Sequence, residues 1–199
     1  MSPISALQVE PVTLRGRWVC LEPMSLAHVD ELCACGLDPA LWRWTPSSVS
    51  TPAQMQAYVE RALADQASGK ALPFVLRDVL GGQLVGSTRF GNIAAKDRCL
   101  EIGWTWVATS HQRSGVNTEA KTLLLTHAFE TLGAHRVELK TDALNETSRR
   151  AIARLGAVQE GIFRRHVVIE SGRVRDTVYF SITDEDWPSV KLRLQALAR

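Results

Sequence analysis

Residues 100–132 read LEIGWTWVATSHQRSGVNTEAKTLLLTHAFETL, and this stretch decides the fold. Leu100 to Val107 is a strand-like run. The polar segment Gln112-Arg113-Ser114-Gly115-Val116-Asn117 follows, and Ala120 to Leu132 then repeats apolar residues at helical spacing, with Ala120, Leu124, Ala128 and Leu132 on one stripe. A strand that feeds a helix through a glycine-containing loop leaves backbone N–H groups unpaired at the helix start. Those groups and the positive end of the helix dipole suit a phosphate. An ordinary strand–loop–helix connection is the competing reading.

Upstream, Arg17 to Glu22 alternates as a first strand, and Ser25 caps a helix that runs to about Cys35. Thr51-Pro52 opens a second helix reaching about Ser68-Gly69, because proline in the first turn forfeits no hydrogen bond. Between these helices lies the aromatic loop Leu41 to Pro46. Pro73 to Val79 and Gln83 to Gly91 read as strands joined at Gly81-Gly82. Downstream, Gly133 ends the central helix and Arg136 to Lys140 makes a short strand. Asn145 caps a helix from Glu146 to Leu155, which Gly156 terminates. Phe163 to Ile169 and Val174 to Ile182 close as a hairpin around Ser171-Gly172. Residues 1–13 read as a loosely held arm, and 184–199 as a polar helix or tail. This order predicts one α/β domain over 1–199, a mixed sheet covered on both faces.

At 199 residues, with 45% apolar and 22% charged residues, the composition is that of an ordinary globular domain. A net charge of +2 is too small to argue by itself for nucleic acid or an anionic membrane. Cys20, Cys33, Cys35 and Cys99 lack the spacing of a metal site and read as reduced thiols. The N-terminal residues lack a signal-peptide pattern, and no run of about 18 apolar residues occurs, so a soluble, cytoplasmic protein without metal is expected. Gly81 to Thr88 imitates a nucleotide P-loop but lacks its lysine and lies between strands. The scattered histidines offer no serine-hydrolase constellation. The groups Arg149-Arg150-Arg154 and Arg164-Arg165 suit a solvated face, coenzyme phosphates or RNA.

With the loop and the Asn145 helix in place, the chain resembles the GCN5-related N-acetyltransferase (GNAT) superfamily, in particular its RimJ/RimL-like branch of ribosomal-protein N-terminal acetyltransferases. Gln112 to Lys121 is similar to the family's Gln/Arg-x-x-Gly-x-Gly/Ala acetyl-CoA motif. Asn145 to Ala157 resembles its Asn-x-x-Ser helix and Leu-Gly turn. Asn117 departs from the small residue of the pattern, which implies altered packing, with Asn117 a good helix cap. The resemblance implies a mixed, mostly antiparallel sheet of about seven strands, splayed between two central ones. It also implies direct acetyl transfer from acetyl-CoA to a primary amine, with no acyl-enzyme and no metal.

Roles follow from the resemblance. The N–H groups of Arg113, Ser114, Gly115, Val116, Asn117 and Thr118 would hold the pyrophosphate, with Gln112 and Trp106 also against the cofactor. Val107 would offer the oxyanion amide, and Asn145 the pantetheine contact. Glu101 is the candidate base through water, or a structural carboxylate; Ser148 is the candidate acid, with Tyr179 in reserve. Trp42, Trp44 and Trp104 are expected to wall the acceptor pocket, with Trp104 and Trp106 on one side of the sheet. A protein α-amine with a pKa of about 8 is roughly a tenth neutral at pH 7, whereas a lysine is neutral at only a few parts in about ten thousand. The acceptor is therefore expected to be a peptide N-terminus or a small amine, and the closing hairpin is a candidate for pairing with a second copy. A silent CoA-binding module and a ribosome- or RNA-associated protein are the alternatives.

Overall fold

The computed structural model describes residues 6–197. In chain order the strands are β1 (Leu14–Arg15), β2 (Val19–Pro23), β3 (Leu72–Asp78), β4 (Leu84–Ala94), β5 (Cys99–Val107), β6 (Arg136–Asp142), β7 (Val158–Val168) and β8 (Val174–Thr183). The helices are α1 (Val29–Gly36), α2 (Pro52–Ala67), α3 (Val116–Thr126), α4 (Glu146–Leu155) and α5 (Trp187–Leu197). All eight strands join one sheet in the order β1-β2-β3-β4-β5-β6-β8-β7. Every neighbouring pair is antiparallel except β5 and β6, which run parallel with α3 as their crossover.

Local chemistry sets the boundaries. Thr51 Oγ1 accepts from the Gln54 N–H at 3.3 Å while Gln54 Oε1 accepts from the Thr51 N–H at 3.1 Å, a reciprocal cap that starts α2 behind Pro52. Asn145 Oδ1 accepts from the Ser148 N–H at 3.0 Å and starts α4, which ends at Gly156 in the left-handed region (φ 107°). The β3–β4 turn needs Gly82 at φ 74°.

Helices cover both faces. On one face Val116, Ala120, Leu124 and Leu125 of α3, Ile152 and Leu155 of α4, and Trp187, Val190 and Leu194 of α5 pack against Phe74, Phe90, Leu100, Ile102, Val137 and Leu139. On the other, Leu32 of α1 and Met55, Tyr58, Val59 and Ala62 of α2 enclose Trp42, Val75, Leu84 and Trp106.

Three expectations need correction. The arm is not loose from residue 6 onward: Leu7 is buried, its N–H donates to the Ala95 carbonyl at 3.0 Å, and Val9 and Val12 pack on the same core; residues 1–5 lie outside the described part. Strand β7 begins at Val158, five residues before the expected Phe163. It is an edge strand, exposed along nearly its whole length, and so carries no apolar alternation to reveal it. Gly115, at φ 86°, caps α3, whereas Asn117 already lies within the helix.

Nothing in the sequence pattern disclosed what anchors the start of α3. The Glu119 carboxylate accepts the backbone N–H groups of Arg17, Trp18 and Val19 at 2.8, 2.7 and 2.9 Å. A Cβ on Gly16 would collide with that carboxylate, so the β1–β2 turn closes tightly over it. Charge-assisted bonds of this kind contribute about 1.5–3 kcal/mol each, and losing the acceptor strands three donors. Glu119→Ala is expected to lower unfolding stability by about 2–4 kcal/mol, and Glu119→Gln by less, read as midpoint shifts in urea.

Candidate active site

The parallel pairing of β5 with β6 covers only Cys99↔Arg136, Leu100↔Val137 and Glu101↔Glu138. Beyond Glu101 the two strands separate, although β5 stays paired to β4 and β6 to β8. The wedge between them exposes backbone groups in mid-sheet. At its open end the Ala108 N–H donates to the Val85 carbonyl at 2.7 Å, so the preceding N–H, that of Val107, points away from β4 into the wedge. The Val107 carbonyl points the same way, since Gln112 Nε2 donates to it at 3.0 Å.

A bulge lies in β5 where its register against β4 shifts between the Arg89↔Gly103 and Ser87↔Trp106 pairs. Trp104 sits there at φ 50°, a strained conformation for a bulky residue that costs about 1–3 kcal/mol. Three contacts hold it. A Cβ on Gly91 would strike its ring, the Arg89 guanidinium lies 4.9 Å from the ring centroid, and its carbonyl accepts from the Tyr58 hydroxyl at 3.5 Å.

The loop after β5 carries two left-handed residues, Arg113 (φ 61°) and Gly115 (φ 86°). Among the described residues the first helical bond of α3 is Glu119 N–H to the Gly115 carbonyl at 2.9 Å. Among the described residues no hydrogen bond uses the N–H of Arg113, Ser114, Gly115, Val116, Asn117 or Thr118. Six consecutive donors therefore face outward at a helix N-terminus, the geometry that receives a phosphate. Space above Gly115 is open, since a Cβ there would meet nothing within 4 Å. Arg154 of α4 adds charge from the side, its Nη2 donating to Thr118 Oγ1 at 2.9 Å.

On the α1/α2 side of the wedge stands Glu101, buried at 6% exposure. Its Oε2 meets Lys140 Nζ at 2.9 Å and Asn92 Nδ2 at 2.6 Å, while Oε1 has no hydrogen-bond partner among the described residues. Gly103 leaves room for it; a Cβ there would come within 2.7 Å of Oε1. Burial pulls the Lys140 ammonium down, but Glu101 and Glu138 outweigh it and hold it above the ordinary lysine range. Tyr179 lies opposite Lys140 on β8, its ring 4.5 Å from Nζ. Tyr179 Oη contacts His166 Nε2 at 3.4 Å.

The other expected residues separate into groups. Ser148 lies half-buried in the first turn of α4 next to its cap Asn145. Trp44 is half-buried beneath Arg43 and Arg173, and Trp104 faces the α2 side beside Arg89 and Tyr58. Trp42 is placed differently from the expectation of a pocket wall: it is 4% exposed, donates Nε1 to the Gly36 carbonyl at 2.8 Å and packs edge-on against Tyr58. The Trp106 indole, 5.4 Å from that of Trp42, fills the same core, so only its backbone borders the wedge. Gln112 turns back to the strand end instead of facing the loop. Arg154, one of the arginines suited to coenzyme phosphates, and Lys121, at the end of the motif, reach the wedge only because the tertiary fold brings α4 beside the loop and α3 under the bulge.

Lys121 is buried on the α3 side of the wedge, its Nζ donating to Thr105 Oγ1 at 2.6 Å. Thr105 in turn meets Thr88 Oγ1 at 2.7 Å. Burial pushes the Lys121 ammonium down to about 7, with Glu101 partly opposing.

A sheet parted beside a helix start with unpaired N–H groups is the geometry that suits an extended phosphate-bearing ligand. Residues 19–158 match the family model described as "Acetyltransferase (GNAT) domain". The chain belongs to the GNAT family of acetyltransferases. YdaF of Bacillus subtilis is 34% identical over 110 residues, 55% of this chain and 59% of that protein. The chain thus spans about three fifths of that relative. A GCN5-related N-acetyltransferase from Brucella melitensis superposes with a TM-score of 0.89 at 31% identity, covering 98% of this chain and 90% of that one. Mycobacterium smegmatis RimJ, solved in complex with CoA-disulfide, superposes with a TM-score of 0.79 at 27% identity, covering 100% and 96%. Among the described residues no helix is long and apolar enough to cross a membrane, and no group of three or more metal-ligating side chains occurs.

The buried lysine carries a pH signature. Its folded pKa is depressed from 10.5 to about 7, so between those values the unfolded chain holds more protons and stability rises with pH. Below about pH 7 the full cost of burying the ammonium applies. Lys121→Met is therefore expected to gain stability, by about 2–3 kcal/mol more at pH 6 than at pH 9, measured by urea unfolding at both.

Proposed function

We propose that the protein transfers the acetyl group of acetyl-CoA to a primary amine by direct attack, an α-amine being the acceptor that needs least help. The observation that carries this is the run of six unpaired N–H groups from Arg113 to Thr118 beside the β5–β6 wedge. Those donors and Arg154 suit the pyrophosphate, and the wedge suits the pantetheine arm, whose amides would pair with the backbone of β5 in place of β6. CoA-disulfide in the RimJ neighbour supports the same reading.

The thioester then supplies the acetyl group, and this chain's residues do the rest. The inward Val107 N–H is the donor for the oxygen that gains charge as the amine attacks. Glu101 Oε1, without a partner among the described residues, draws an ammonium in and takes its proton directly or through one water. Lys140 and Asn92 hold the other oxygen, which fixes the carboxylate without occupying the working atom. Ser148 at the start of α4 would return a proton to the departing thiolate, with Tyr179 as the other candidate hydroxyl. A thiol of pKa about 8.5 leaves readily enough that this proton matters less than the first.

A thiol-release assay over a panel of amines tests the proposal. Glu101→Gln is expected to lower kcat by about 10–1000-fold while CoA affinity stays within about twofold. Tight CoA binding with no thiol released by any amine would leave the silent CoA-binding module as the correct reading. Ser148→Ala is expected to lower kcat by at most about tenfold.

A further inference from the structure

Resting on that reading, we infer that the amine acceptor carries a carboxylate, and that Arg175 is the residue that receives it. Arg175 stands on β8 in the row Arg175, Thr177, Tyr179, whose side chains share the face that Lys140 and Glu101 occupy. It is 6% exposed. Its Nε donates to Thr177 Oγ1 at 3.1 Å, and Nη1 reaches the Trp44 carbonyl only at 3.5 Å. Nη2 has no partner among the described residues, and no carboxylate lies within 4 Å of the guanidinium. A guanidinium this buried is costly unless an anion pairs with it.

Each local carboxylate already has another partner, Glu101 keeping one oxygen free. Asp142, fully buried opposite Thr177, is held by Arg173 and by the Leu144 N–H. Glu101 gives one oxygen to Lys140 and Asn92. Asp176 accepts from the Arg165 N–H, and Glu170 from the Ser48 N–H. Nor is the free edge of Arg175 sealed inside the protein: the orphaned, solvent-inaccessible side-chain atoms are Gln66 Oε1, Arg98 Nε and Trp106 Nε1, and Nη2 of Arg175 is not among them. That edge therefore borders accessible space. Arginine offers two parallel N–H donors that match a carboxylate, whereas a neutral amine gives it nothing.

Glu101 and Arg175 therefore form a complementary pair across the acceptor side, one for an ammonium and one for a carboxylate. The hairpin that carries Arg175 is clamped over the loop between α1 and α2, with Glu170 N–H to the Pro46 carbonyl at 3.2 Å and Arg173 stacked on Trp44. This clamp encloses the acceptor end and holds the guanidinium in place. Two sources share the chemistry: a free amino acid, and a peptide with an acidic side chain close to its N-terminus.

Initial rates with acetyl-CoA test the inference on four amines: an amino acid, its carboxamide, an amidated peptide with a glutamate second, and the same peptide with glutamine second. The wild type is expected to favour the carboxylated member of at least one pair by tenfold or more in kcat/KM, and the favoured pair identifies the source. Arg175→Met should collapse that ratio towards one through a rise in the KM of the carboxylated member. Arg175→Lys, with the charge kept and the fork lost, should fall between. Calorimetric titration of the same amines into the CoA complex reads the same preference without turnover. Equal use and equal binding of both members of each pair by the wild type overturns the inference, as does an Arg175→Met defect identical for both. The acetyl-transfer proposal fails differently, by no thiol release with any amine.

Discussion

The β5–β6 pairing ends after three residue pairs, and most of the site follows from that interruption. A sheet interior does not normally tolerate unpaired backbone, because each buried N–H or C=O left alone costs about as much as a lost hydrogen bond. Here both strands keep their outer neighbours, β4 and β8, so the wedge remains open without unravelling the sheet. The exposed groups leave a ladder edge of the kind an extended ligand can pair with. The bulge at Gly103 to Trp106, with Trp104 held at φ 50°, re-aims β5 at the opening. Its strain is borne by the contacts of Gly91, Arg89 and Tyr58 around the indole.

Two anchors keep the wedge and the loop in register. Gln112 bonds the Val107 carbonyl, fixing the loop to the strand end, and Glu119 draws three N–H groups of the β1–β2 turn onto the first turns of α3. With those contacts made within the protein, the donors from Arg113 to Thr118 remain directed outward. The two faces then divide the work. The α3 side carries Lys121 and Arg154, and the α1/α2 side carries Glu101, Lys140, Tyr179 and Arg175; on the proposed reading the first serves the cofactor and the second the acceptor.

Periodic and capped elements were legible from the chain. The α4 limits agree to the residue, since Asn145 and Gly156 are strong local stop signals, and the Thr51-Pro52 start of α2 is equally local. Strand β7 was underread because an edge strand with both faces exposed has no hydrophobic period. Trp42 and Trp44 illustrate the same limit. Two residues apart in one loop, they are indistinguishable by composition, yet one is core and the other lies half-buried beneath Arg43 and Arg173.

By itself the sequence determined the order of the longer elements, the caps of α2 and α4 and the glycine loop between β5 and α3, since these depend on neighbours within a few residues. Only the tertiary structure decided where the sheet parts, that one Glu101 oxygen is held by Lys140 while the other is free, and that Arg175 is buried with no carboxylate within 4 Å among the described residues. Those features depend on which strands lie side by side and on how much water remains around each charge. Neither is encoded at any single position, because both arise from packing between segments tens of residues apart.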